Sequence, residues 1–289
     1  MMQKKKVICL GYIFVLLVSL FTGQESVKAQ QKPAETLLIG SVPYYSPEKL
    51  RKGFAPVIEY LSKALDKKFS FTVTESYDEL AEKMEKGAID IGFLAPVLYV
   101  QLKERDPHLK YLVTSQTTQG GKKTAYYFSW LVVRKGSGLT KVKHLRGKSF
   151  AFSNKHSSSG YIYPQGYFHS RGIVPDDFFA QVIFAGTHEK VTDMIAQGKI
   201  DVGVSYDANI WSAQEKYGRV FRRIRKIGPI LNPSFVAGSH VDDALCKEIS
   251  WALENIPLTV LNKDLIYTGF QRFSKRNFTL VAEFLDAVE

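Results

Sequence analysis

SYDELAEKMEKGAIDIGF, residues 76–93, and THEKVTDMIAQGKIDVGV, residues 187–204, read as two copies of one unit. Leu80, Met84, Gly87, Ile89, Asp90, Ile91 and Gly92 fall opposite Val191, Ile195, Gly198, Ile200, Asp201, Val202 and Gly203, at a constant offset of 111 residues. Each copy predicts a helix closed by a C-terminal glycine and followed by a buried strand. Tyr77 and His188 hold the same place, at the start of the helix. A unit repeated in this way implies two equivalent lobes, each aiming a helix N-terminus at a shared cleft.

Upstream of the first copy the order is strand, helix, strand. Leu37 to Val42 is the first strand, and Ser46-Pro47-Glu48 gives an N-cap with proline at the first helical position. Phe54, Val57, Ile58, Leu61 and Leu65 then share one helical face, and Phe69 to Thr74 is the second strand. Such alternation predicts a mostly parallel sheet covered by helices. Tyr44 and Tyr45 follow the first strand, at the rim of the cleft or in a turn before Ser46.

Between the copies, Tyr111 to Thr117 and AYYFSWLVVR (residues 125–134) read as strands, the second crossing between lobes. Tyr126 and Tyr127 point to opposite faces of that strand. A second crossing follows Gly228-Pro229 through Asn232-Pro233-Ser234. Asp242 to Ile256 is an amphipathic helix, and Leu261 to Val288 carries helical spacing that returns to the first lobe. Residues 30–131 are assigned to lobe 1, 132–230 to lobe 2, and 231–289 to the return and the C-terminal helices.

The stretch FAFSNKHSSSGYIYPQGYF, residues 150–168, contains the most chemistry. A short apolar strand runs into Ser157, Ser158, Ser159 and Gly160, and helix-like spacing follows. Unpaired N–H groups at a helix start, together with hydroxyls, form an oxyanion pocket.

Composition bounds the rest. Lys4, Lys5 and Lys6 precede an apolar run from Val7 to Phe21, with Val27-Lys28-Ala29 as a cleavage site, so residues 1–29 read as a signal peptide. Cys9 lacks the small residue expected before a lipidated cysteine, which favours a cleaved, unanchored product. Removing the segment takes four lysines and one glutamate from a formal charge of +11 and leaves +8. The basic cluster Arg219, Arg222, Arg223, Arg225 and Lys226 alternates with Val220, Phe221, Ile224 and Ile227, and reads as one strand with a solvated face, not as a nucleic-acid patch. Only Cys246 survives cleavage, which excludes an internal disulfide and a cysteine metal site.

These residues resemble a known family, the periplasmic phosphate/phosphite/phosphonate-binding proteins (PhnD-like) that feed ABC transporters. The marks are SSSGY with Pro164, then AGTHE (Ala185 to Glu189) and GKIDVG. The resemblance implies a two-lobed α/β fold of the type II periplasmic binding protein class, two mixed sheets joined by two crossing strands. It implies an exported, periplasmic, monomeric protein with no catalytic step, no cofactor and no metal. Its partners would be a small phosphorus oxyanion and an inner-membrane ABC permease, or a sensor kinase to which the ligand is presented. It places the oxyanion against Tyr77, Tyr127, the run Ser157, Ser158, Ser159, and His188; the residues themselves add Asp207, as an acceptor for a protonated oxyanion, and Tyr44, at the rim. Family members that bind aminoalkyl phosphonates hold the amine with two carboxylates. Here those positions carry Ala208, beside Asp207, and Asn232 or Ser234. An ammonium group would be left uncompensated, so phosphate, phosphite or a small phosphonate with an uncharged tail is expected.

Two other chemistries fit parts of the chain. A hydrolase would use Ser, His and Asp, yet the chain has no G-x-S-x-G elbow. A ferric-ion binder would use paired tyrosines, a histidine and an aspartate as hard ligands, which leaves the serine run without a role.

Overall fold

The computed structural model describes residues 36–119, 121–261, 265–274 and 276–286; the signal segment read in residues 1–29 lies outside them. Leu37–Ser41 (β1), Phe69–Val73 (β2) and Ile91–Leu94 (β3) are parallel, joined by helices Pro47–Ala64 (α1) and Tyr77–Glu85 (α2). α1 forms where expected: Ser46 accepts from the Lys49 N–H at 3.4 Å, Pro47 opens the first turn, and Leu50, Phe54, Val57 and Leu61 bury one face. Pro96–Arg105 (α3), Lys110–Gln119 (β4) and Lys122–Thr124 (β5) follow.

The chain then builds a second sheet. Its elements are Tyr126–Arg134 (β6), Ser149–Phe152 (β7), a π turn Ser158–Ile162 continuing into Tyr163–His169 (α4), and Pro175–Phe178 (α5). Gln181–Phe184 (β8), His188–Ala196 (α6), Val202–Tyr206 (β9), Asp207–Tyr217 (α7) and Phe221–Leu231 (β10) complete it, in the order β10-β6-β9-β7-β8. Ser234–Ala237 (β11), Asp243–Glu254 (α8), Gly269–Gln271 (β12) and Arg276–Asp286 (α9) return to the first sheet, ordered β12-β4-β11-β3-β1-β2 with β5 on β4. Both sheets are mixed, because the returning strands run antiparallel to their neighbours.

The duplication extends further than the two quoted stretches. Asp90 Oδ2 accepts from the Leu38 N–H at 2.7 Å, and Asp201 Oδ2 accepts from the Ser149 N–H at 2.9 Å. Leu38 and Ser149 are also 111 residues apart, as are Ser46 and Ser157, the caps of α1 and of the π turn. Pro96 and Asp207, the first residues of α3 and α7, repeat the same offset. The repeated aspartate thus pins the neighbouring central strand in each half.

Apolar packing holds each sheet on both faces. Phe54, Phe93 and Phe235 meet on one face of the first sheet with ring centroids 4.9–6.2 Å apart. In the second sheet Phe150 stacks on Phe179 at 4.3 Å, while Val191 and Ile195 of α6 cover the opposite face with Ala151 and Val132. Fully burying one such side chain is worth about 1.5–3 kcal/mol, so Phe93→Ala would cost roughly 3–5 kcal/mol once the cavity is included.

Two sequence expectations are corrected here. The tail is not helical throughout its described part: Gly269–Gln271 adds a strand to the outer edge of β4, and the helix is confined to Arg276–Asp286. The open edge of β4 offers ladder partners that a helix could not use. The basic strand β10 does expose Arg222, Arg225 and Lys226, but Arg223 turns inward. Its guanidinium lies over Trp130 at 5.4 Å and Trp211 at 5.7 Å, and a register shift between Arg223 and Arg225 breaks the alternation. Among the described residues no helix is long and apolar enough to cross a membrane.

Candidate functional site

α2 and α6 begin in the same way. Ser76 accepts from the Glu79 N–H at 3.0 Å and Thr187 from the Lys190 N–H at 3.2 Å, which leaves Tyr77 and His188 as the first helical residues. Both side chains are buried, at 4 % and 2 % exposure. The serine run does not start an ordinary helix. The Tyr163 N–H reaches the Ser158 carbonyl and the Ile162 N–H reaches that of Ser157, both five residues back. Pro164 has no N–H for the Gly160 carbonyl, which instead accepts from the Ser153 N–H at 3.1 Å. Gly160 is required at this turn, since a Cβ there would stand 1.6 Å from Ser153 Oγ.

Tyr44, Tyr77, Tyr127, Ser157, Ser159, His188 and Asp207 line one cavity of about 270 Å³. Tyr127 faces it, and its neighbour Tyr126 is 36 % exposed. Ser158 does not line the cavity. Its Oγ accepts from the Val97 N–H at 3.3 Å, in the first turn of α3, which has no side-chain cap of its own. The run therefore divides by direction: Ser157 and Ser159 face the cavity, and Ser158 faces a helix that follows the first sheet.

A chain of hydrogen bonds reaches the ring of His188. Asn209 Nδ2 donates to the His188 carbonyl at 3.0 Å, which fixes the amide orientation, and to Ser205 Oγ at 2.9 Å. Thr192 Oγ1 is a further acceptor for Asn209 Nδ2 at 3.2 Å, and Ser205 Oγ lies 3.4 Å from His188 Nδ1. We assign the ring hydrogen to Nε2, with Nδ1 accepting from the Ser205 hydroxyl. That Nε2–H points at Ser157 Oγ (3.2 Å) and Ser159 Oγ (3.3 Å). Burial drives the His188 pKa down to about 3, so the ring is a neutral donor at physiological pH.

Two further donors are phenols. Burial raises the Tyr77 pKa to about 12, and the Ser157 hydroxyl beside it opposes the shift. Tyr127, beside Ser159, is raised further by the same cause. Burial also raises Asp207, whose Oδ1 accepts from Trp130 Nε1 at 2.7 Å with Arg223 and Lys226 nearby. No lysine or arginine lines the cavity among the described residues. Neutral hydroxyls, an imidazole N–H and the free N–H groups at the starts of α2 and α6 can surround an anion, and exclusion of water strengthens each contact. They also select by geometry, since each unmatched buried donor costs about 1–3 kcal/mol.

The structure adds residues that the sequence did not single out. Thr117, Gln119, Tyr206, Trp211, Ile266 and Tyr267 also line the cavity. The 111-residue offset, carried from Ala95 and Pro96, leads to Tyr206 and the start of α7; nothing in the sequence marks Ile266 or Tyr267. No group of three or more His, Cys, Asp or Glu side chains able to hold a metal occurs among the described residues, and burial opposes the phenolates that a ferric site would need.

Comparisons with known proteins address the same cavity-bearing chain. Residues 39–278 match the family model described as "ABC transporter, phosphonate, periplasmic substrate-binding protein". The phosphate-import protein PhnD of Mycolicibacterium smegmatis is 26 % identical over 204 residues, 68 % of this chain and 63 % of that relative's length. The chain thus spans less than two thirds of that curated relative. A binding component of a phosphonate ABC transporter from Pseudomonas aeruginosa superposes with a TM-score of 0.78 at 17 % identity, over 87 % of this chain and 85 % of the other. PhnD1 of Prochlorococcus marinus, solved in complex with methylphosphonate, gives 0.76 at 18 % identity, over 87 % and 97 %. These two likenesses establish the type II periplasmic binding protein fold. The family match, covering most of the chain, establishes more: the protein belongs to the periplasmic substrate-binding proteins of phosphonate ABC transporters.

Proposed function

We propose that the protein captures a phosphorus oxyanion (phosphate, phosphite or a phosphonate) in this cavity and delivers it to an ABC permease in the inner membrane. Each sheet with its helices is a lobe, and the ligand is clamped where they meet. Ser157, Ser159 and the His188 Nε2–H donate from the second lobe, joined by Tyr127 from the crossing strand β6 of the same sheet; Tyr77 opposes them from α2 of the first. Asp207 supplies an acceptor for a proton carried by the ligand, and Tyr44 closes the wall from the first lobe. Ser158 acts on the closed form by capping α3 across the lobes. The protein works after export, with residues 1–29 removed.

The observation that supports this reading most is the convergence of neutral donors from both copies of the repeat, with Tyr77 and His188 in mirrored positions. The absence of an acid pair at Ala208 and Asn232 supports a ligand without an ammonium group. Asn232 Nδ2 is already committed to the Ser115 and Thr124 carbonyls at 3.0 and 3.2 Å. Calorimetric titration of the mature protein with phosphate, phosphite, methylphosphonate and 2-aminoethylphosphonate tests the proposal. At least one of the first three should bind, and Ser159→Ala should weaken it about tenfold or more, the loss of one charge-assisted hydrogen bond. Failure of all three, or tight binding of 2-aminoethylphosphonate alone, would overturn it.

A further inference from the structure

The cavity is larger than the anion it is assigned. A five-atom oxyanion takes the share of two or three waters, about 60–90 Å³. The cavity holds about 270 Å³. Outside the donor cluster its lining includes Ala208, Trp211, Ile266 and Tyr267. Trp211 lines the cavity while remaining 50 % exposed, the posture of a ring that a ligand would cover.

The same cavity also presents hydroxyls without a well-formed hydrogen bond. Thr117 Oγ1 is buried, lines the cavity and has no hydrogen-bond partner, while the strained hydroxyls of Tyr44 and Tyr206 have only Tyr267 and Tyr45 beside them. Unmatched buried hydroxyls are costly, so a ligand that supplies polar atoms to them gains affinity that a bare oxyanion would forgo. The one carboxylate lining the cavity among the described residues is already served: Trp130 Nε1–H donates to Asp207 Oδ1, and Arg223 and Lys226 stand close to it. A positive charge on the ligand is therefore not called for.

We infer that the ligand is a phosphonate or phosphate monoester carrying a neutral organic tail of about five to ten heavy atoms, with the tail held among Ala208, Trp211, Ile266 and Tyr267. This inference rests on the oxyanion reading above. The size follows from volume: a cavity of about 150 Å³ accommodates a benzene ring, and a ring of that size plus the oxyanion fills most of the space.

Titration of the mature protein with phosphate, methylphosphonate and phenylphosphonate tests it. Phenylphosphonate should bind at least about tenfold more tightly than methylphosphonate. Trp211→Ala should weaken phenylphosphonate about fivefold or more and leave phosphate within about twofold. Ala208→Leu, which fills the tail space without removing any packing, should produce the same split. Methylphosphonate binding as tightly as phenylphosphonate, or both variants weakening all three ligands alike, would overturn the tail and leave the oxyanion site standing. If none of the three binds, the oxyanion reading falls, and the tail falls with it.

Discussion

Replacing His188 by glutamine should change how the stability of this protein depends on pH, and the structure sets the size of the change. Burial holds the His188 pKa near 3, against 6.5 for an exposed imidazole. Below about pH 6.5 the unfolded chain takes up a proton that the folded protein refuses, so stability is fully present above that pH and is lost as pH falls toward 3. Within that window each pH step of one costs about 1.4 kcal/mol, which predicts a loss of about 2.5 kcal/mol between pH 7 and pH 4.5 from this one side chain. Other groups titrate in the same window, so the quantity to measure is a difference. Urea unfolding of the wild type and His188→Gln at pH 7 and 4.5 isolates it. The variant starts from a lower stability but should lose about 2.5 kcal/mol less across the interval. Equal losses in both proteins would show that His188 is not a buried neutral ring, and its Nε2–H could not then be the neutral ligand donor assigned to it.

Further outcomes follow from the same geometry. If Ser205 and Asn209 hold the proton on Nε2 as assigned, Asn209→Leu and Ser205→Ala should each weaken oxyanion binding by about tenfold in calorimetry, roughly the 1–3 kcal/mol of one mismatched buried donor; unchanged affinity in both would remove the assignment. Ser158→Ala should weaken binding less than Ser159→Ala, because it removes a cap across the lobes and not a group lining the cavity; the reverse order would place Ser158 on the ligand. Gly203→Ala would put a Cβ 2.5 Å from Val191 Cγ1 and 3.2 Å from the Ala151 carbonyl. That overpacking should cost about 1–3 kcal/mol and lower the melting temperature by several degrees, and an unaltered melting curve would mean that α6 shifts freely on its sheet.

Much of this arrangement was legible before any tertiary contact was known. The periodicity of residues 54–65, the cap at Ser46 and the glycine stops at Gly87 and Gly198 are local signals, decided within one or two turns of chain. Repetition made Tyr77 and His188 stand out, because both open a helix at one offset. The chain alone therefore determined the duplicated unit and the residue types at its two helix starts, while the positions compared with an acid pair, Ala208 and Asn232 or Ser234, came from the family resemblance. Only the folded structure decided which of three adjacent serines face the cavity. A π turn, imposed where Pro164 withholds an N–H, rotates Ser158 away from Ser157 and Ser159, and no spacing rule announces such a turn. The same holds for Ile266 and Tyr267, which lie in a stretch whose spacing reads as helical and line the cavity from outside any helix, and for the inward turn of Arg223 at a strand irregularity. Short-range patterns record which elements form; which atoms meet depends on how distant elements pack, and that information is spread over the whole core.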